Sequence, residues 1–205
     1  MTERPSLFPP CPEPTADLAA APPVATTLFV TGATKGFDRL AGLEGLRCLY
    51  VREISQPQLE IVAGMAWLEA LSIFIYRGAS LAPLRRMKNL RGLSVTAASK
   101  IDTLADIAAQ TQLEELGVGD LKLVRDIAPL AALQGLHTLG ISGSFTSPQR
   151  LDTLAPLASL TRVVSLSLDG VHVEDDDLRP IARMTQLRRL RIHPPKFPEI
   201  GRAHV

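Results

Sequence analysis

The stretch Val124–Ile141, VRDIAPLAALQGLHTLGI, carries two hydrophobic rhythms side by side. In its first half, Ile127-x-Pro129-Leu130-x-x-Leu133 spaces apolar residues three apart, which puts them on one stripe of a short helix. Pro129 falls in the first turn, where a missing N–H costs nothing. In its second half, Leu136-x-x-Leu139-x-Ile141 alternates apolar with polar or small residues, the period of a half-buried strand. The stretch therefore predicts a short helix, a turn and a strand.

The strand phrase recurs in both directions. It reads Ala25-x-x-Leu28-x-Val30, Leu46-x-x-Leu49-x-Val51, Leu68-x-x-Leu71-x-Ile73, Leu90-x-x-Leu93-x-Val95 and Leu113-x-x-Leu116-x-Val118 before that point. Beyond it come Val163-x-x-Leu166-x-Leu168 and Leu187-x-x-Leu190-x-Ile192. Successive starts lie 21, 22, 22, 23, 23, 27 and 24 residues apart, a period that marks a stacked repeat array. The helix phrase recurs between the strands as Leu81/Leu84/Met87, Leu154/Leu157/Leu160 and Leu178/Ile181/Met184, each with Pro near its start. Versions without Pro are Phe37/Leu40/Leu43, Leu59/Val62/Met65 and Leu104/Ile107 with Gln110. Asp102, Asp126, Asp152 and Asp177 precede or open these helices, where a carboxylate accepts orphan N–H groups.

Along each strand the Leu and Val positions point inward and the alternate positions line the opposite face. Each unit buries about six or seven aliphatic side chains worth roughly 1.5–3 kcal/mol apiece. A lone unit cannot cover them, so the units must stack.

These phrases, clearest in Val124–Ile141 and in LDTLAPLASLTRVVSLSL (Leu151–Leu168), resemble the short bacterial leucine-rich repeat proteins. The resemblance spans about residues 25 to 193. It implies an α/β fold: a right-handed leucine-rich repeat solenoid of about eight repeats, with parallel strands on the concave face and short helices on the convex face. One departure stands out. The family places Asn three residues after the last apolar strand position, where its amide ties successive loops together. Here those places hold Ala33, Ile54, Tyr76, Ala98, Leu121, Ser144, Val171 and Pro195. The turn amides and carbonyls must find other partners. The 27-residue spacing conceals an insertion, Gly143–Gln149, with Phe145 at its tip, expected to tuck back into the core.

Three segments are expected. Residues 1–23 form a Pro-rich leader holding seven of the sixteen prolines, a composition that favours extended polyproline conformation over helix or central strand. It is read as loose. The alternative is a strap in which Leu7, Phe8 and Leu18 cover exposed core of the first repeat. Residues 24–198 form the repeat domain. Residues 199–205, EIGRAHV, read like the in-frame translation of a sequencing adapter. The natural chain is then expected to continue beyond about Pro198, the last repeat to expose an apolar flank, and His204 to have no functional role.

Composition narrows the function classes. With 22 basic and 21 acidic residues the net charge is +1, which gives no whole-molecule attraction to nucleic acid or an anionic membrane. The start lacks the apolar run of a secretory signal, and no stretch is long and apolar enough to span a bilayer. Two isolated cysteines, Cys11 and Cys48, supply neither a disulfide framework nor a metal site. A cytoplasmic, reducing location is expected.

Motifs of catalysis are weak. Val30–Phe37, VTGATKGF, resembles the cofactor turn of short-chain dehydrogenases at Gly32 and Gly36, but Asp38 stands where the last glycine belongs. No Tyr-x-x-x-Lys supplies the usual catalytic pair, and the segment keeps the repeat period. Glu174–Asp177 is a consecutive acidic run, unlike the alternate spacing of calcium loops, and reads as helix-start acids. His137, His172 and His193 are scattered, without ligands at metal spacing. The clusters Arg85/Arg86/Lys88/Arg91 and Arg183/Arg188/Arg189/Arg191 read as solvated rims, lacking the interleaved aromatics of a nucleic-acid groove. No cofactor, metal or catalytic residue is expected.

The outward strand positions are more informative. They run Thr27, Phe29, Thr31; Cys48, Tyr50, Arg52; Ala70, Ser72, Phe74; Gly92, Ser94, Thr96; Glu115, Gly117, Gly119; Thr138, Gly140, Ser142; Ser165, Ser167, Asp169; Arg189, Arg191, His193. A floor of small residues lies between aromatics at one end and bases at the other. Interface hot spots favour Tyr, Trp and Arg. The expected function is a non-enzymatic scaffold that binds a partner protein through Phe29, Tyr50, Arg52, Phe74, Arg189, Arg191 and His193. Alternatives are an immunity or regulatory protein neutralising a neighbouring toxin, an enzyme whose site is assembled only in space, and a module of a longer protein or enzyme.

Overall fold

The structure, a computed structural model, describes residues 6–22, 24–144 and 146–194. Phe145 and the tail 199–205 lie outside the described residues. Eight strands form one open parallel sheet: β1 (Thr27–Thr31), β2 (Cys48–Ile54), β3 (Ala70–Tyr76), β4 (Gly92–Thr96), β5 (Glu115–Gly119), β6 (Thr138–Ser142), β8 (Ser165–Asp169) and β10 (Arg189–His193). They lie in chain order, each paired in parallel with its neighbours. The register follows the strand phrase without slippage: Leu28, Leu49, Leu71, Leu93, Leu116, Leu139, Leu166 and Leu190 stand side by side. A one-residue slip would turn every leucine to solvent. This is a leucine-rich repeat solenoid.

A second, two-stranded sheet begins where the insertion ends: β7 (Gln149–Leu151) pairs in parallel with β9 (Val171–Val173).

The returns are shorter and tighter than an α-helix in most repeats. Among the described residues only α1 (Gln56–Ala63) and α2 (Ala105–Ala108) are α-helical. Segments Phe37–Gly42, Ala82–Arg86, Ala128–Ala132, Ala155–Ser159 and Arg179–Arg183 close as 3₁₀ turns. A 3₁₀ turn has three residues per turn, which matches the three-residue spacing of the apolar stripe. Their apolar stripes complete the core: Leu40, Leu59, Leu84, Ile107, Leu130 and Leu157 are fully buried.

The turn starts have a capping rule that runs at the repeat period. Ser80, Thr103, Asp126, Thr153 and Asp177 each accept the N–H two residues on, at 2.7–3.2 Å. Asp126 and Asp177 thus cap as expected. Asp102 and Asp152 do not; the adjacent Thr103 and Thr153 occupy the position from which a side chain reaches the amide. Asp152 instead pairs with Arg125 at 2.8 Å.

Glutamines replace the missing asparagine ladder. Gln58 donates to the carbonyl of Gly32 at 2.8 Å, and Gln110 donates to that of Leu84. Buried Gln149 accepts from Leu121 N–H at 2.9 Å and donates to the carbonyls of Leu121 and Val124 at 3.1 and 2.7 Å. Gln56 accepts from Ser80 N–H at 3.1 Å and Tyr76 Oη at 2.9 Å. The vacated positions themselves turn apolar, with Ile54, Tyr76, Ala98 and Leu121 buried. Just before them the chain takes positive φ at Glu53 (57°), Ile75 (62°), Ala97 (55°) and Asp120 (49°), a region side chains disfavour.

The described part of the leader, residues 6–22, packs on the array. Residues 14–18 run beside the first repeat: Pro14 bridges Phe29 and Asp17 bridges Lys35, with Thr15 N–H donating to Phe29 at 2.7 Å and Leu18 N–H to Lys35 at 3.1 Å. Buried Leu18 joins the core cluster and covers the first repeat. Leu7 and Phe8 do something else. They lie on the outward face of the sheet, away from the core. At the other edge, β10 carries Leu190 and Ile192 at inward positions, 49% and 44% exposed, since among the described residues no further repeat stacks on them.

Candidate functional site

Sheet twist and pleat present three rows of outward side chains, one row at each alternate strand position. In the first row, Cys48, Ala70 and Gly92 are buried although they face away from the core. The leader is what buries them. Between Pro14 and Ser6 it crosses from β1 to β5, roughly 19 Å of sheet at ~4.8 Å per strand. An extended proline-rich segment advances about 3.1 Å per residue and covers that span.

Its contacts are specific. The Tyr50 hydroxyl donates to the Pro9 carbonyl, and the Phe8 and Tyr50 rings meet at 6.1 Å between centroids, tilted by 58°. Gly92 lets the chain approach: a Cβ there would stand 3.2 Å from both Leu7 and the Phe8 ring. At β5 the Glu115 carboxylate accepts from Leu7 N–H at 2.8 Å and from the Ser6 hydroxyl at 2.9 Å. Beneath the strap, burial first and then the neighbouring Cys48 push the Tyr50 phenol up to about 12. Burial likewise pushes the Cys48 thiol up to about 11.

The candidate residues separate into three groups. Phe29 and Tyr50 are neighbours in register and both are engaged by the leader. Arg52 and Phe74, neighbours on β2 and β3, stay exposed, with the guanidinium 5.6 Å from the Phe74 ring centre, a cation–π distance. Arg189, Arg191 and His193 form the outward row of β10 and are exposed. His193 Nδ1 hydrogen-bonds Asp169, its register partner on β8. Burial raises the Asp169 pKa, but hydrogen bonds from His193 and Ser167 outweigh it and hold the carboxyl below its usual range.

Between the end of the strap and the β10 arginines lies an open groove of about 1020 Å³. Ser6, Leu7 and Glu115 form one wall, Arg189 and Arg191 the other, and Thr138 and Ser167 belong to its floor. His137 also lines it, and its Nδ1 is buried without a hydrogen-bond partner. Sequence reasoning had no signal for the leader residues Ser6–Pro9 or for Glu115 as parts of this surface. Glu115 stood among the outward positions, but only the fold shows what it holds.

The remaining motifs serve the scaffold. Gly32 cannot carry a side chain, because a Cβ would meet the Glu53 carbonyl at 2.3 Å, and the Thr34 hydroxyl donates to the leader's Thr15 carbonyl at 2.8 Å. Arg85 pairs with Asp106 at 2.8 Å, Arg91 with Glu114 at 2.7 Å, and Arg86 with Glu60, so acids of adjacent repeats pair with the three arginines of the first basic cluster. In the acidic run, Glu174 pairs with Arg125 and Arg150 at 3.2 and 3.1 Å, and Asp177 with Arg179 at 2.8 Å. Among the described residues no three His, Cys, Asp or Glu side chains gather as a metal site, and no helix is long and apolar enough to cross a membrane.

No protein-family model and no curated protein matches the chain. Solved structures do. An internalin (inlF) of Listeria monocytogenes is similar over 80% of this chain at 28% identity, with a TM-score of 0.57, and the match covers 47% of that protein. An internalin C2 of the same species is 22% identical over 86% of this chain and 80% of its own, TM-score 0.55. A leucine-rich repeat protein of Leptospira interrogans is 16% identical over 89% of this chain and 53% of its own, TM-score 0.63. The chain spans about half the length of the first and third of these. The fold they share with it is that of bacterial leucine-rich repeat proteins.

Proposed function

We propose that this leucine-rich repeat chain is a non-enzymatic scaffold that binds a partner protein across the outward face of its sheet. The observation that carries the reading is the layout of that face. Small residues (Ser94, Gly117, Gly140, Ser167) form a floor a partner backbone can approach closely, and exposed Arg52/Phe74 and Arg189/Arg191/His193 flank it. Such aromatic and arginine groups are the side chains from which interfaces draw most of their energy. The similarity to bacterial proteins built on the same array supports a binding role, and fold alone does not name the partner. Two free thiols, Cys11 and Cys48, support a reducing compartment such as the cytoplasm.

The test is co-purification of partners with the tagged full chain from cells that express it, scored by cross-linking and mass spectrometry. Arg52→Ala with Phe74→Ala, and separately Arg189→Glu with Arg191→Glu, should each lower the yield of a specific partner at least tenfold while circular dichroism stays unchanged. Yields from both double variants equal to that of the unsubstituted chain would place the interface off this face.

A further inference from the structure

The leader shows what the covered half of the face accepts. Residues 6–9, Ser-Leu-Phe-Pro, supply an N–H and a hydroxyl to the Glu115 carboxylate, a ring to Gly92 and Tyr50, and a proline carbonyl to the Tyr50 hydroxyl. Two of these contacts satisfy main-chain groups, the Leu7 N–H and the Pro9 carbonyl, which a segment without secondary-structure hydrogen bonds leaves open; the Phe8 N–H donates to the Ser6 hydroxyl at 3.1 Å. Passing from β5 to β2, residues 6–9 form no ladder with the strands they cross. Its hold rests on the aromatic shelf and the carboxylate. An aromatic floor with a hydroxyl aimed at a proline carbonyl is the chemistry by which proline-rich peptides are recognised.

From this we infer that the Tyr50–Gly92–Glu115 track is a receptor for an extended proline-rich peptide with an aromatic residue before proline. The chain's own leader is its occupant in cis, holding the track against such a segment of the partner protein. The inference rests on the reading of this face as an interaction surface, and it specifies the partner's segment and how access is controlled. A tethered leader competes at a high effective concentration, in the millimolar range for a short linker, so only a peptide that binds better, or an event that lifts the leader, gains the track.

The experiment uses the full chain and a fluorescein-labelled synthetic peptide of residues 1–13, followed by fluorescence anisotropy. Leu7→Ala with Phe8→Ala weakens the tethered leader and leaves Pro14–Leu18 in place. This variant should bind the peptide saturably and at least tenfold more tightly than the unsubstituted chain. Adding Tyr50→Phe to it removes one hydroxyl and should weaken binding about fivefold. Equal binding by the two leader forms, or none by a variant whose thermal melt shows it folded, would overturn the inference. So would a concentration-dependent dimer of the unsubstituted chain that the leader variant abolishes, since the occupant would then be a second copy's leader. If the peptide fails here while Arg52/Phe74 substitution still lowers partner yield, the interaction scaffold stands and the peptide track alone falls.

Discussion

Leu7 and Glu115 stand 108 positions apart in the chain, and the amide of the first donates to the carboxylate of the second at 2.8 Å. With the Ser6 hydroxyl on the same carboxylate at 2.9 Å, this contact pins the far end of a strap that begins at β1. Hydrogen bonds to an ionised acceptor are worth more than neutral ones.

Glu115→Ala should therefore free the end of the leader without unfolding the array. In hydrogen-exchange mass spectrometry, peptides spanning residues 6–9 should lose protection while those covering β4 and β5 keep it. Unchanged protection at residues 6–9 would mean the carboxylate does not hold the strap.

Leu116 occupies the middle of the leucine ladder and is 1% exposed. Leu116→Ala leaves a cavity and should cost about 2–5 kcal/mol in a urea titration. A loss under ~1 kcal/mol would contradict the observed packing.

Gln149 replaces a family asparagine by reaching Leu121 and Val124 from more than one repeat away. Gln149→Leu keeps the volume but leaves the Leu121 amide and two carbonyls bereft of this partner. It should cost at least about 2 kcal/mol, since each buried polar group left unpaired costs roughly 1–3 kcal/mol. A near-neutral result would show that water takes over the bonds.

Ala97 has φ of 55°, where a Cβ is disfavoured and glycine is not. Ala97→Gly should raise stability by about 1 kcal/mol, read as a higher urea midpoint at unchanged slope. A fall would mean that the methyl group's packing outweighs the strain.

The thiols give a pH signature. Burial raises Cys48 from an ordinary 9.0 to about 11 and Tyr50 from 10.0 to about 12. The folded protein thus keeps protons that the unfolded chain releases, so their contribution is intact below pH 9 and is lost as pH climbs toward 11 and 12. At pH 8 buried Cys48 stays protonated, and the thiolate is the reactive form, so iodoacetamide should modify exposed Cys11 far faster. Comparable rates at pH 8 would contradict the burial of Cys48 under the strap.

The array was legible because its signal is local and repeated. Leu28, Leu49, Leu71 and their successors recur at the strand period, and the observed register sets them side by side. The helix phrase located each return but not its hydrogen bonding: the return between β2 and β3 is α-helical and the equally long one between β3 and β4 is 3₁₀. Thr103 and Thr153 took the capping place expected of Asp102 and Asp152, a difference of one position that propensity alone does not resolve.

By itself the sequence determined which residues are inward, how many units stack and in what order, because burial period and repeat spacing are properties of the chain read along its length. Tertiary structure alone decided what covers the outward face. Phe8 reaching Tyr50, Leu7 reaching Glu115 and Gln149 reaching Leu121 join segments whose separation carries no periodic trace. An extended proline-rich segment has no internal hydrogen bonds to announce its path. Its position is set by the side chains and the first-repeat backbone it meets after the array has stacked.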